Sequence, residues 1–347
     1  MKNAPATSIL SLANALLFTV LFVPFLCWSQ AAGEINSRLL QHAEACPRTN
    51  NEVATIHDYL VGAAANKRER AELFFYWMAK NIAYDVRRFQ SGDLRETGRD
   101  ILKTRKAICE EYARLYKAFC DRSGIACYVV SGYAKGYGYD GGFPNGTNHA
   151  WNVVKIDDAY LFVDVTWGSG SVTNKSGRLI FIPEIKPQEV LVESDDFRAR
   201  HLAGNPQWQL LEQPITYKDF VSHDNFAEMQ GTAVASFNFR DTIAQFSQLT
   251  IEQQRIREWE QICAFRPTVN NYHRASIVFA QVAWGWSTPE IYVEADVRRA
   301  KQTYQQGIRY LRSALAAAKR QKAQMRAELD NMEKGVKYCE YRLANKR

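Results

Sequence analysis

The spacing of apolar residues along the chain predicts that its first third is helical. Between residues 34 and 90, and most clearly in RERAELFFYWMAKNIAYD, apolar residues recur at helical intervals. Residues 91–106 are polar and predict a connection. The next segment, ICEEYARLYKAFCDRSGI, places apolar residues at intervals of four, three and four. This spacing is typical of a helix with one apolar face, and Gly124 is expected to end it.

After this helix, apolar and polar residues alternate, which is typical of strands. The segment ACYVVSGYAKG predicts one strand, and residues 136–146, rich in glycine and tyrosine, predict a loop. The segment NHAWNVVKIDDAYLFVDVTW predicts two more strands joined by a turn at Asp157–Asp158. A helix followed by antiparallel strands favours an α+β fold over alternating strands and helices.

The remainder of the chain divides into an irregular part and a helical part. Residues 168–222 show no clear period, and the pattern becomes helical beyond them. From residue 297 onward, the apolar spacing fits either a helical hairpin or one long, partly coiled-coil helix. We therefore predict an α+β domain at 32–222, followed by an all-α region at 223–347.

The first 31 residues are expected to be a cleaved signal peptide. Lys2 supplies a positive charge, Ile9–Trp28 is an apolar stretch, and Ser29–Ala31 offers small residues for cleavage after Ala31. The protein would then be secreted or periplasmic. An uncleaved N-terminal membrane anchor is the alternative, because about twenty apolar residues are enough to span a bilayer.

Export would place six cysteines in an oxidising compartment, where thiols tend to pair. They are Cys46, Cys109, Cys120, Cys127, Cys263 and Cys339. If Cys109 stays free for chemistry, at least one of the other five has no partner within the chain. The composition, 46% hydrophobic and 23% charged, is ordinary for a globular protein and excludes global disorder.

The positive charge of the chain is concentrated at its C-terminal end. Residues 298–347 hold fourteen Lys or Arg and four Asp or Glu, in a chain of formal net charge +7. A solvated basic helix surface explains this, and a contact with anionic envelope material is the alternative. No nucleic-acid partner and no cofactor is expected. No metal site is expected either, because the six histidines are scattered and no CxxC or HxxxH spacing occurs.

Cys109 is the first residue that suggests chemistry. It is predicted to lie in the first turn of its helix, where unpaired backbone N–H groups and the helix dipole favour an anion such as a thiolate. The neighbouring Glu110 and Glu111 act against this. A buried structural cysteine on the helix face is the alternative.

The predicted hairpin brings a histidine and an aspartate together. Counting outward from a turn at Asp157–Asp158 sets His149 opposite Thr166, and Trp151 opposite Asp164. His149 and Asp164 then share one face as diagonal neighbours within side-chain reach. Together with a thiolate, they could form a nucleophile–base–orienter system. A structural His–Asp pair that braces the hairpin is the alternative.

These segments resemble the core of the transglutaminase-like superfamily, in which a helix-borne Cys, an HAW strand and a D-x-T-W strand follow one another. SGYAKG, NHAWN and PQWQLL are similar to the kyphoscoliosis-peptidase-like branch. The resemblance runs from about residue 70 to 222, with its core at 70–170. It implies a papain-like α+β fold with a Cys–His–Asp triad. The matching residues are Cys109 as nucleophile, His149 as base and Asp164 as orienting carboxylate.

The same resemblance suggests substrate contacts and one departure. Trp151 and Trp167 match aromatic positions that flank the triad, where packing and substrate contact are both open. Tyr137, in the glycine- and tyrosine-rich loop, is a third candidate substrate contact. Ala107 stands where the family usually has glycine, two residues before the cysteine, which would matter if that position required a glycine-only conformation.

The resemblance therefore implies an exported cysteine hydrolase or acyl transferase that acts on protein or peptide amides. The reaction would pass through a thioester, with a peptidase favoured over a crosslinker, and the Cys109 backbone N–H would contribute to the oxyanion hole. The alternative is a catalytically inactive transglutaminase-like binding module whose C-terminal helices dock a partner.

Overall fold

The protein is seen in a computed structural model, and five stretches of the chain are described. They are residues 34–48, 51–91, 100–142, 145–229 and 237–346. The predicted signal peptide, 1–31, lies outside the described residues. Among the helices described, none combines the length and the apolar character that a membrane span requires.

Helices are present before the sheet, as predicted. They are α1 (Ser37–Glu44), α2 (Val53–Val61), α3 (Lys67–Asn81), α4 (Val86–Ser91) and α6 (Cys109–Arg122). A further short helix, α5 (Ile101–Thr104), lies in the segment that was predicted to be only a connection. Two short strands, β1 (Ala83–Tyr84) and β2 (Lys106–Ala107), pair in parallel and lead into α6. Gly124 follows α6 with a φ of 63°, the left-handed conformation that ends helices.

The central sheet is antiparallel, with the strand order β5-β4-β3-β8. Its strands are β3 (Cys127–Ala134), β4 (His149–Ile156), β5 (Ala159–Val163) and β8 (His201–Ala203). The hairpin turns at Asp157–Asp158 as predicted, so that Ile156 pairs with Ala159. A second hairpin is formed by β6 (Gly170–Lys175) and β7 (Arg178–Pro183).

The predicted pairing of His149 with Thr166 was wrong. The β4–β5 ladder ends at the pair Asn152–Val163, and a helical turn, α7 (Val165–Gly168), follows. Asp164 caps this turn by accepting a hydrogen bond from the Trp167 N–H, which favours a helix start over a longer strand.

The prediction that 168–222 is irregular was also wrong. The segment contains the β6–β7 hairpin and β8. The hairpin turns at Ser176–Gly177, where both residues have positive φ, a backbone suited to a tight two-residue hairpin. β8 has only three residues, too few to show a period in the sequence.

The C-terminal part is helical, as predicted. Beyond residue 222, the helices described are α10 (Phe226–Met229), α11 (Phe239–Ser247), α12 (Ile251–Phe265), α13 (Val269–Ser287), α14 (Glu294–Ala317) and α15 (Lys322–Asn345). Two more, α8 (Asp195–Arg200) and α9 (Tyr217–Ser222), lie in the segment that was predicted to be irregular. Of the two arrangements considered from residue 297 onward, the structure has the helical hairpin, α14–α15. Gly335 of α15 lets these helices approach closely, because a Cβ there would lie 2.6 Å from Cζ of the Tyr304 ring in α14.

Two apolar cores hold most of the buried apolar residues of the central sheet. One packs α1–α3 and α6 with sheet residues such as Val154 and Val163. The other joins sheet residues such as Trp151 and Phe162 to Trp208 and to α11. Helices from both ends of the chain therefore contribute to burying this sheet.

Candidate functional site

Cys109 is the first residue of α6 and is partly exposed, whereas the other cysteines of the described residues are buried. The preceding Ala107 lies in β2 without a positive φ, and its carbonyl accepts a hydrogen bond from the Asp85 N–H at 2.9 Å. A glycine-only conformation is thus not required at this position.

The start of α6 is fixed by a buried ion pair. Arg88 Nη1 contacts both carboxylate oxygens of Glu111, at 2.7 and 2.8 Å. Glu111 Oε2 also accepts a hydrogen bond from the Ile108 N–H at 3.0 Å. Because Arg88 compensates Glu111, this acid opposes a thiolate at Cys109 less than the sequence suggested.

His149 begins β4 and contacts both the acid and the thiol. Its Nε2 lies 2.7 Å from Asp164 Oδ2, which leaves Nδ1 available to the Cys109 thiol. Burial alone would lower the pKa of His149. The Asp164 charge and hydrogen bond, together with a hydrogen bond to Cys109, outweigh it and raise this pKa to about 10. The ring is therefore protonated near neutral pH, as a thiolate–imidazolium pair requires.

Asp164 is fully buried, and its two oxygens have three hydrogen-bond partners. Oδ1 accepts from the Trp167 N–H at 3.0 Å, and Oδ2 faces two imidazole nitrogens, His149 Nε2 and His201 Nε2, the second at 3.0 Å. Burial would raise the pKa of Asp164, but the two histidines hold it well below its ordinary value. The carboxylate therefore stays charged.

His201 is the site residue that the sequence did not reveal. It begins β8, whose register sets His201 against Ala134 of β3. Its Nδ1 lies 3.1 Å from the Phe197 carbonyl oxygen, and burial lowers its pKa to about 4. The PQWQLL segment nearby pointed only to a family branch, and no local pattern connected His201 to Asp164.

The three predicted substrate contacts lie in different surroundings. Trp167 lines a cleft of about 990 Å³ beside His149, with ring centroids 5.3 Å apart. Tyr137 lines the same cleft and is 49% exposed. Trp151 is 1% exposed, is absent from the cleft lining and packs against His201 with centroids 5.1 Å apart. Packing is what the structure shows for Trp151, and substrate contact at the other two stays a prediction.

The cleft is lined by aromatic rings and paired charges. The rings include Tyr84, Phe89, Tyr137, Tyr139, Trp167 and Phe181. Arg200 lies over the Trp167 ring, 5.3 Å from its centroid, and pairs with Glu189 at 2.9 Å. Burial and the Asp164 charge raise the pKa of Glu189 to about 7, against the effect of Arg200. The lining therefore offers a ligand both apolar surface and hydrogen-bonding groups.

Within the part of the chain that the structure describes, His149, Asp164 and His201 form a group that could hold a metal ion, since one ligand atom of each lies within 4.8 Å of the others. A divalent ion such as zinc would need both Nε2 atoms without protons, at about 2.0 Å. The Nε2–Oδ2 separations of 2.7 and 3.0 Å are ordinary hydrogen-bond lengths. The three side chains are therefore spaced as a hydrogen-bonded cluster.

A C-terminal helix holds the segment that precedes His149. Asn271 of α13 accepts a hydrogen bond from the Thr147 N–H at 3.1 Å and donates one to Tyr133 Oη at 2.9 Å. Arg274 Nη1 donates to Thr147 Oγ1 at 3.2 Å. Asn271 is fully buried. These contacts, which the sequence did not predict, fix the backbone two residues before the imidazole.

Comparisons with known proteins agree with this fold. The model of the transglutaminase-like superfamily matches residues 54–165. The mouse and human proteins named kyphoscoliosis peptidase are both 34% identical, over 164 and 167 residues, or 46% and 47% of this chain. Hillarin of Drosophila melanogaster is 31% identical over 176 residues, 46% of this chain. The aligned part spans only 24%, 25% and 21% of these relatives, respectively.

Proposed function

We propose that this chain, which carries a domain of the transglutaminase-like superfamily in its kyphoscoliosis-peptidase-like branch, is a cysteine hydrolase or acyl transferase acting on protein or peptide amides. The observation that supports this best is the convergence of Cys109, His149 and Asp164, of which His149 lines an open cleft. Hydrolysis is favoured over amine transfer because two of the relatives are named peptidases.

The proposed reaction begins with the Cys109 thiolate. Its sulfur attacks the amide carbonyl carbon, and the carbonyl electron pair moves to oxygen, which the Cys109 backbone N–H stabilises. His149 then gives its Nδ1 proton to the leaving amine as the C–N bond breaks, which leaves a thioester. Next, His149 takes a proton from water, and the resulting hydroxide displaces the sulfur to give a carboxylic acid. In a crosslinker, an amine takes the place of water.

The proposal includes export, with cleavage after Ala31, and an uncleaved membrane anchor is the alternative. Expression of the full chain in the source organism, followed by N-terminal sequencing of the isolated protein, tests this. A chain that begins at Ala32 supports export, and one that keeps Met1 or Lys2 contradicts cleavage.

The activated thiol is tested by alkylation with iodoacetamide near pH 6.5, followed by mass spectrometry at Cys109. We expect fast modification in the wild type and at least about tenfold slower modification in His149→Ala, because the thiolate loses its imidazolium partner. His42→Ala is the matched control, since His42 lies in α1 and binds the Tyr59 carbonyl oxygen. Equal rates in the wild type and His149→Ala would contradict an activated nucleophile.

Turnover is tested with a peptide library and with a fluorescent primary amine offered to a glutamine-containing protein. Peptide cleavage that is lost in Cys109→Ala supports a hydrolase, and amine incorporation that is lost in the same variant supports an acyl transferase. No turnover of either kind by the wild type would favour the non-catalytic binding module over the proposal.

A further inference from the structure

One oxygen of Asp164 faces two histidines. Asp164 Oδ2 lies 2.7 Å from His149 Nε2 and 3.0 Å from His201 Nε2. A Cys–His–Asp system needs only the first of these contacts. The side chain of His201 is fully buried, so its cost of desolvation must be balanced by its contacts.

The two ring nitrogens of His201 both face acceptors. Nδ1 lies 3.1 Å from the Phe197 carbonyl oxygen, and Nε2 lies 3.0 Å from the Asp164 carboxylate. A neutral imidazole has one N–H and can satisfy only one of them. Burial keeps the ring neutral, because it lowers the pKa of His201 to about 4. An ionised carboxylate accepts a stronger hydrogen bond than a neutral carbonyl does, so the proton belongs on Nε2.

The ring of His201 has little freedom to rotate away. It stacks on Phe197 with centroids 4.0 Å apart and an interplanar angle of 11°. The Trp167 ring lies 4.3 Å away, centroid to centroid, and the edge-on Trp151 ring 5.1 Å away. The backbone of His201 is held in β8, opposite Ala134. The donor therefore has a fixed direction relative to the carboxylate.

We propose that His201 is a positioning residue of the active site, which donates its Nε2–H to Asp164 Oδ2 and so fixes the carboxylate that orients His149. This inference rests on the proposed function. Together with the Trp167 N–H on Oδ1, His201 holds both oxygens of the carboxylate in place. The Nδ1 atom of His149 is thereby kept directed at Cys109, and strand β8 contributes to the site by placing His201.

The first test replaces the donor and then restores it. His201→Phe keeps a flat ring between Phe197 and Trp167 but removes the N–H, whereas the amide of His201→Gln can donate from a similar position. We expect alkylation of Cys109 by iodoacetamide at pH 6.5 to be about tenfold to a hundredfold slower in His201→Phe. His201→Gln should recover most of the wild-type rate, and the pH profile should shift only in the Phe variant.

His57→Phe is the matched control, because His57 is another buried histidine with two polar partners, Asp58 and Ser123, and is absent from the cleft lining. It should lower thermal stability without changing the alkylation profile. A wild-type rate in folded His201→Phe, or no recovery in folded His201→Gln, would overturn the proposal. A wild-type protein whose thiol reacts no faster than that of His149→Ala would instead overturn the proposed function.

The second test does not depend on reactivity. Nitrogen-15 NMR of the histidine rings in the folded wild-type protein reports which nitrogen carries the proton. The proposal requires the Nε2–H tautomer at His201, identified by the signal that disappears in His201→Gln. A His201 ring protonated at Nδ1 alone would overturn it, because the contact with Asp164 would then lack a proton.

Discussion

The two halves of the proposed nucleophile–base pair are held by different kinds of contact. Apart from the Arg88–Glu111 ion pair at its start, the helix that carries Cys109 is fixed by apolar packing against the N-terminal helices. The segment that leads to His149 is fixed by hydrogen bonds from α13. The position of the thiol therefore depends mainly on the hydrophobic core, whereas the position of the imidazole depends on a few buried polar groups.

The apolar side of this comparison is an aromatic cluster. Phe119 of α6 packs on Phe74 and Trp77 of α3, with ring centroids 5.3 and 5.6 Å apart. Tyr112 and Tyr116 of α6 also donate hydrogen bonds to backbone carbonyl oxygens, at 2.6 and 3.1 Å. Such packing is spread over many atoms, so no single apolar contact decides where α6 lies.

The polar side rests on α12 and α13. Besides Asn271, Glu258 of α12 accepts hydrogen bonds from Asn205 Nδ2 at 2.7 Å and Trp208 Nε1 at 2.8 Å. Burial raises the pKa of Glu258 to about 7. The Glu258 carboxyl therefore joins the C-terminal region to the segment that follows β8 through hydrogen bonds. Because this carboxyl titrates near pH 7, these hydrogen bonds are expected to depend on pH.

The largest effect on stability is expected from Phe119→Ala, which removes the central ring of the aromatic cluster that holds α6. Truncation of a fully buried aromatic ring leaves a cavity and should lower the free energy of unfolding by about 3–5 kcal/mol. Urea unfolding followed by circular dichroism measures this. Lys117→Ala on the same helix removes only a surface pair with Asp121 and should change it by less than about 1 kcal/mol. Similar losses in both variants would contradict an apolar anchor.

A smaller, pH-dependent effect is expected at Glu258. The pKa of this carboxyl rises from an ordinary 4.5 to about 7 on folding, so between these values the folded protein binds more protons than the unfolded chain. The free energy of unfolding should therefore fall as pH rises from 4.5 to 7, by up to about 3 kcal/mol from this group. Urea unfolding at several pH values measures the slope.

Glu258→Gln is the variant that isolates this slope. The amide keeps an acceptor for Asn205 and Trp208 and cannot titrate in this range, so its stability should depend less on pH than that of the wild type. Glu189, whose pKa is also raised to about 7, is present in both proteins and cancels. If the free energy of unfolding changed with pH in the same way in both proteins, Glu258 would not be the group responsible for the slope.

Of the three groups tested, Asn271 is expected to give the smallest change in stability. Asn271→Ala removes the buried amide that holds the segment before His149. Loss of its bonds to Thr147 and Tyr133 should cost about 1–3 kcal/mol of unfolding free energy and slow the alkylation of Cys109, because the His149 segment loses its anchor. Asn270→Ala changes the exposed neighbour and should leave both quantities unchanged. A wild-type alkylation rate in folded Asn271→Ala would show that this contact of α13 does not position His149.

The sequence predicted the features that are set locally. The helix that begins at Cys109, its end at Gly124 and the turn at Asp157–Asp158 all follow from residue spacing and turn chemistry. The contact of His149 with Asp164 was also anticipated, although through a longer ladder than the one that forms.

Features set by distant contacts could not be predicted in this way. His201 reaches Asp164 only because three residues of β8 add to the edge of β3, and so short a strand has no visible period. Asn271 lies in a helix whose apolar pattern gives no indication that one buried amide faces Thr147. In both cases the partner is chosen by tertiary packing and not by neighbouring residues.

The hydrogen bond between Thr147 and Asn271 joins residues 124 positions apart. During translation, Cys109, His149 and Asp164 are therefore synthesised long before Asn271, which holds the segment that precedes His149. Until α13 has emerged and docked, a nascent polypeptide carries all three reactive groups without their final alignment. Under the proposed function, the order of synthesis would thus delay full reactivity until most of the chain has been made.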